Sequence, residues 1–189
     1  MKLRRLAACA IFIPSLASCS AGEGEAGGGL YKNIADACSL VGKAEVDRLL
    51  GDTPAPVRER VPEVIPGDMQ SVCSWASRSG DGRTIRIAAR LYAEKNGARE
   101  SAVKGFSRSK AEACGATGTL CRPFSGAGDE GYLRLKYPSD LDTLFRVRDE
   151  NIVLAVTFSR SASSSTDEDI GPQEVSTMNN VISRLQKIR

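Results

Sequence analysis

Thr143-Leu144-Phe145-Arg146-Val147-Arg148-Asp149-Glu150-Asn151-Ile152-Val153-Leu154-Ala155-Val156-Thr157-Phe158 is the stretch on which the fold turns. In Thr143–Arg148, Phe145 and Val147 alternate with Arg146 and Arg148, the period of a strand with one buried face. Asp149-Glu150-Asn151 is short and polar, so the strands it joins run antiparallel. Ile152–Phe158 is the most hydrophobic strand segment of the chain and reads as the central strand.

Working outward, Gly131–Tyr137 predicts another strand, with Leu133, Leu135 and Tyr137 inward and Pro138-Ser139-Asp140 as a break. Gln70–Ser77 predicts a strand with Cys73 and Trp75 on one face. After a Gly80-Asp81-Gly82 turn comes Arg83–Tyr92. There Ile85, Ile87, Ala89 and Leu91 point one way, and Arg86 and Arg90 the other. Lys43–Leu50 reads as a short helix stopped by Gly51. A second helix runs from Asn96 or Gly97 to about Ala113, with a stripe of Ala98, Ala102, Val103, Phe106 and Ala113. Gly105 weakens it by roughly 1 kcal/mol relative to alanine. A terminal helix follows Pro172, with Val175, Met178, Val181, Ile182 and Leu185 on one side. Four prolines between residues 52 and 69 predict an irregular wrap, with a helical turn at Val57–Val61. The order is helix, two strands, helix, three strands, helix. It predicts one α+β domain over residues 31–189: an antiparallel sheet of about five strands with helices packed on one face.

Ahead of the domain, Lys2, Arg4 and Arg5 form a positive head before the apolar segment Leu6–Leu16. That segment, about eleven residues, is short for a hydrocarbon core of ~30 Å and reads as a signal peptide. It ends in Leu16-Ala17-Ser18-Cys19, which resembles the lipobox of bacterial lipoproteins. The resemblance implies removal of residues 1–18 and lipidation of Cys19, with several acyl chains holding the protein to the cell membrane. Residues 19–30 are then the lipidated cysteine and a glycine-rich tether, reaching at most about 36–40 Å when extended. The expected location is extracytoplasmic, at the outer face of that membrane.

Processing would also remove the three basic residues behind the formal charge of +3, leaving 23 basic and 23 acidic side chains. Nothing global then points to nucleic acid. The chain has no histidine, which excludes Ser-His-Asp and Cys-His catalysis and histidine-based zinc sites.

Cys38, Cys73, Cys114 and Cys121 remain beside Cys19. Outside the cytoplasm four cysteines suggest two disulfides, in one of three pairings. Cys38–Cys73 with Cys114–Cys121 is favoured, the latter closing a short loop with Gly115, Gly118 and Thr119. A four-thiolate metal site and a redox pair would each need a CxxC spacing that is absent. No metal and no cofactor are expected.

Cys38-Ser39-Leu40-Val41, Glu45-Val46, Leu49-Leu50-Gly51 and Cys73-Ser74-Trp75 together resemble the DUF3558 family of actinobacterial lipoproteins. Val41 departs from the leucine typical there, and the second cysteine pair has no counterpart in the pattern. The resemblance covers the lipobox and roughly residues 33–92. It implies an exported, membrane-held domain, and it brings no catalytic residue.

The functional candidate is a charge pattern. With the strands paired as predicted, Arg86, Arg90, Arg134, Lys136, Arg146 and Arg148 lie on the sheet face opposite the helices, joined by Tyr92 and Tyr132. Few acids occupy those strands. Such a face suits an anionic envelope polymer, a lipid head group or an acidic envelope protein. The competing reading is an ordinary solvated face. Asp167, Glu168 and Asp169 match no calcium-loop spacing, and Gly126–Gly131 matches no phosphate loop. Ser107 and Lys110 carry only an isolated S-x-x-K spacing. The sequence therefore points to a non-catalytic binding lipoprotein. A carrier of a small hydrophobic or lipid ligand is the first alternative, and a histidine-free hydrolase the second.

Overall fold

The computed structural model describes residues 30–34, 36–59, 67–93, 97–125, 128–136, 140–161 and 172–188. The signal segment, Cys19, the tether up to residue 29, Tyr137 and Asp167–Asp169 lie outside the described residues, and the 126–131 turn is described from Gly128.

A 3-10 turn at Ala37–Ser39 precedes α1 (Lys43–Leu50), β1 (Val57–Glu59), β2 (Met69–Ala76) and β3 (Thr84–Leu91). Then come α2 (Ala98–Gly115), β4 (Thr119–Pro123), β5 (Glu130–Lys136), β6 (Asp140–Asp149), β7 (Ile152–Ser161) and α3 (Pro172–Gln186). The strands form one antiparallel sheet in the order β1-β2-β3-β7-β6-β5-β4. β7, the most apolar strand segment, is the middle strand.

The sheet has seven strands, where the sequence predicts about five. The additional two are the outermost. β1 replaces the helical turn expected at Val57–Val61, and β4 lies inside the second cysteine loop. Edge strands pair on one side only, so a short run suffices and proline is tolerated, as at Pro123. Neither carries a buried residue, β4 alternating only between half-buried and exposed, and Val57 is 60% exposed and Leu120 41%.

One face, here the front, holds the main core. Ile85, Ile87, Phe145, Val147, Leu154 and Val156 pack with Val46 and Leu50 of α1 and Met178, Val181, Ile182 and Leu185 of α3. Each large side chain of this kind contributes about 1.5–3 kcal/mol on full burial. Trp75 and Cys73 belong to the same cluster.

The sequence reading places all the helices on one face, and the structure divides them between two. α2 lies on the back. β3 sits inside the sheet while β4 forms the far edge, four strand spacings or about 19 Å away. The connection must pass over β7, β6 and β5, and α2, about 27 Å long, makes that crossing. Its Ala98, Ala102 and Phe106 pack on Tyr92, Tyr132, Leu144 and Val153, with Phe106 edge-on to Tyr132 at 5.5 Å between ring centroids. Val103, placed in the stripe by spacing, is 37% exposed. Gly105 marks a close approach: a Cβ there would stand 2.0 Å from the Tyr92 hydroxyl oxygen.

Glu45 ties the front helices together. It accepts from the Gly42 amide and the Asn180 side chain, each at 2.7 Å, and pairs with Arg184. Burial works to raise its pKa, but the hydrogen bonds from Arg184, Gly42 and Asn180 outweigh it and hold the carboxyl below its ordinary value. Hydrogen bonds from Arg58 and Arg86 likewise lower Asp36 and Glu59. Asp81 falls to about 2, chiefly through its hydrogen bond with Ser79. A carboxyl whose pKa is depressed by folding stabilises fully above its unfolded pKa and loses that contribution as pH falls through the folded value. No histidine titrates in between. The urea midpoint is therefore expected to stay flat from about pH 5.5 to 7.5 and to fall progressively below about pH 4.5. A transition centred near neutrality would contradict this assignment.

Candidate functional site

The strand register determines which side chains share the back face. Arg86 and Arg90 alternate with front-face Ile85, Ile87 and Leu91. Arg134 and Lys136 alternate with Leu133 and Leu135, and Arg146 and Arg148 with Phe145 and Val147. All six basic residues therefore lie on the face that α2 crosses. Tyr92 and Tyr132 lie there too, but as buried floor under the helix rather than as an open surface.

The six do not make one bare patch. Arg86 pairs with Glu59 of β1 at 2.9 Å, and Arg90 with Asp68 at 2.8 Å. Arg148 is held by Asp129, by Glu130 and by the Glu150 carbonyl. Glu59 comes from an edge strand and Asp68 and Asp129 from loops, outside the arginine-bearing strands, while Glu130 opens β5 directly opposite Arg148. Lys136 is exposed and faces Asp142 across the β5–β6 ladder.

Arg134 and Arg146 are different. They are diagonal neighbours on β5 and β6, since Arg134 is opposite Leu144 and Arg146 opposite Tyr132. Neither makes an ion pair among the described residues, and the Nε of each is buried without a hydrogen-bond partner. Buried donors are normally paired, and leaving one unpaired costs about 1–3 kcal/mol.

Arg108 of α2 enters the same region, although nothing in its sequence context marks it. Burial raises the Tyr92 phenol pKa, opposed by the positive charges of Arg90, Arg146 and Arg108. Burial likewise raises Tyr132, opposed by Arg146 and Arg134. The charges acting on the two buried rings are mostly basic, with Asp68 opposing them at Tyr92 and Glu112 at Tyr132. Free guanidinium N–H groups in such a field match the oxygens of phosphates and carboxylates.

The remaining candidates fall elsewhere. Cys38–Cys73 and Cys114–Cys121 are both bonded, at 2.06 and 2.01 Å. Trp75 is core, 4% exposed. Ser107 and Lys110 are exposed on α2. Among the described residues, no group of three cysteines or carboxylates is placed to hold a metal ion, and no helix is long and apolar enough to cross a membrane. A cleft of about 300 Å³ separates α1 from the ends of β3 and β7, with Leu49, Leu50, Ile85 and Phe158 beside Arg83 and Glu174. In comparison with known proteins, the chain matches no family model and no curated protein.

Proposed function

We propose that this chain is a non-catalytic cell-envelope lipoprotein that binds an anionic envelope component through the back face of its sheet. The observation that carries this reading is the pair Arg134 and Arg146, neighbours on the back face that have no acidic partner among the described residues. An anionic polymer, a lipid head group or an acidic envelope protein would supply the counter-charge. The basic head, the apolar segment and Cys19 support a lipid-anchored position outside the cytoplasm. The likeness of the Cys38, Leu49-Leu50-Gly51 and Cys73-Ser74-Trp75 motifs to the DUF3558 lipoproteins agrees with that position.

The test is titration of residues 20–189, oxidised, against purified anionic envelope polymers and anionic vesicles at two salt concentrations. Wild-type binding is expected to weaken with salt. Arg134→Glu with Arg146→Glu is expected to weaken it by about 100-fold or more, since each change removes a charge-assisted contact and adds repulsion. Arg86→Glu, whose positive charge Glu59 already offsets, is expected to change it by less than about threefold. Binding that ignores both salt and the double reversal would remove this reading.

A further inference from the structure

A cleft of about 310 Å³ opens between one side of α2 and the end of β3, lined in part by Asp68, Arg90, Tyr92, Lys104, Gly105 and Arg108. Its size lies within the range of small-molecule sites. Lys104 and Arg108 are four residues apart on α2, so both heads project over the same opening. Gly105 between them lets the helix settle onto Tyr92, which places the phenol at the floor of the cleft.

Tyr92 is 7% exposed and lines the cleft, so its hydroxyl meets a space walled by cations. Arg90 stacks over the Tyr92 ring, 4.7 Å from its centroid, and is anchored by Asp68, whose side chain is 4% exposed. Lys104 pairs with Glu100, outside the cleft, where both side chains are over 70% exposed. Arg108 has no acidic partner among the described residues. Three cations against Asp68 and the Glu100 that pairs with Lys104 leave an excess of one positive charge, with donors supplied from a helix on one side and a sheet on the other.

We propose that this cleft binds a phosphate monoester dianion. Arg90 and Arg108 grip its oxygens, the Tyr92 hydroxyl donates from the floor, and Lys104 closes the open side. The proposal rests on the anion-binding reading of the same face and deepens it. A terminal phosphate offers acceptors to donors arriving from different directions, which one carboxylate does not. Leu30, where the described chain begins, packs against the cluster containing Tyr92, so the polypeptide leading from Cys19 arrives at this end of the sheet. With Cys19 in the membrane, head-group phosphates would lie within the reach of the tether.

The test uses the full chain, oxidised and purified in a neutral detergent. It is titrated with inorganic phosphate, with glycerol 1-phosphate, and with phosphatidic acid in mixed micelles; phosphatidylcholine micelles serve as the comparison. All three phosphate probes are expected to bind and phosphatidylcholine is not. Arg108→Gln, an exposed position, is expected to weaken binding about tenfold or more without moving the unfolding midpoint. Tyr92→Phe, which removes only the hydroxyl, is expected to weaken it about tenfold. Tighter binding of phosphatidic acid than of glycerol 1-phosphate assigns the site to a lipid; equal affinities assign it to a soluble phosphate. Absence of binding by all three, or binding untouched by both variants, overturns the proposal. Phosphate binding lost only in Arg134→Glu with Arg146→Glu overturns the cleft and leaves the broader anion reading standing. Phosphate binding that depends on Arg108, with no binding of polymers or vesicles, does the reverse.

Discussion

Replacing Asn151 with leucine is expected to cost about 3–5 kcal/mol of stability and to free the first described residues from the domain. Asn151 is 1% exposed and ends the β6–β7 turn. Its Oδ1 accepts from the Tyr31 amide at 2.8 Å, and its Nδ2 donates to the carbonyls of Tyr31 and Tyr92 at 3.0 and 3.1 Å. Leucine has the same branched shape, with a bulkier side chain, and satisfies none of the three. Each buried backbone group left unpaired costs about 1–3 kcal/mol, and the cost is partly relieved if Tyr31 swings out to water. That relief is the second part of the prediction. Tyr31 is otherwise held by its hydroxyl donating to Asp149 at 2.7 Å, and Leu30 packs on the Tyr92 cluster. The measurement is the urea midpoint, with hydrogen exchange at the Tyr31 amide. Asn151→Asp keeps the acceptor but loses both donations and turns a charge toward two carbonyls, so it is expected to fall about as far. An unchanged midpoint in both variants would show that the Asn151 bonds to Tyr31 and Tyr92 contribute nothing.

The two disulfides are expected to separate in size of effect. Cys38 and Cys73 are 35 residues apart, and Cys114 and Cys121 are 7 apart. Restriction of the unfolded chain gives about 4 kcal/mol for the longer loop and about 2.5 for the shorter. Geometry widens the gap. The longer bridge joins the 3-10 turn ahead of α1 to β2 inside the main core, where Cys73 is wholly buried. The shorter one fastens the last turn of α2 to the exposed edge strand β4, whose contacts with β5 persist without it. Cys38→Ala with Cys73→Ala is therefore expected to lower the urea midpoint more than Cys114→Ala with Cys121→Ala. Only the second pair is expected to speed hydrogen exchange in β4 and at the end of α2 while leaving β2 and β3 protected. Equal losses from the two pairs would contradict this ranking.

The five inner strands and the three helices are legible in the sequence because their signals are local. Alternation of Phe145 with Arg146, or of Ile85 with Arg86, depends only on residues two apart, and one buried face enforces it. The run Ile152–Phe158 marks the middle strand by hydrophobicity alone. The outer strands escape because an edge strand is half exposed and need not alternate; Val57 and Leu120 show this directly. Gly105 is visible as a flaw in a helix, but its meaning appears only with Tyr92 beneath it.

By itself, the sequence determined the class of fold, the core-facing side of each inner strand and the exclusion of histidine chemistry. All of these follow from residue identity and short-range periodicity. Tertiary structure alone decided which arginines are already neutralised. Glu59, Asp68 and Asp129 reach Arg86, Arg90 and Arg148 from 27, 22 and 19 residues away. It also decided that α2 crosses the back of the sheet, because strand order, not helix propensity, dictates how far the chain must travel from β3 to β4. That crossing carries Arg108 to the basic face and closes one side of the cleft. Both outcomes depend on contacts between segments distant in the chain, which no local pattern encodes.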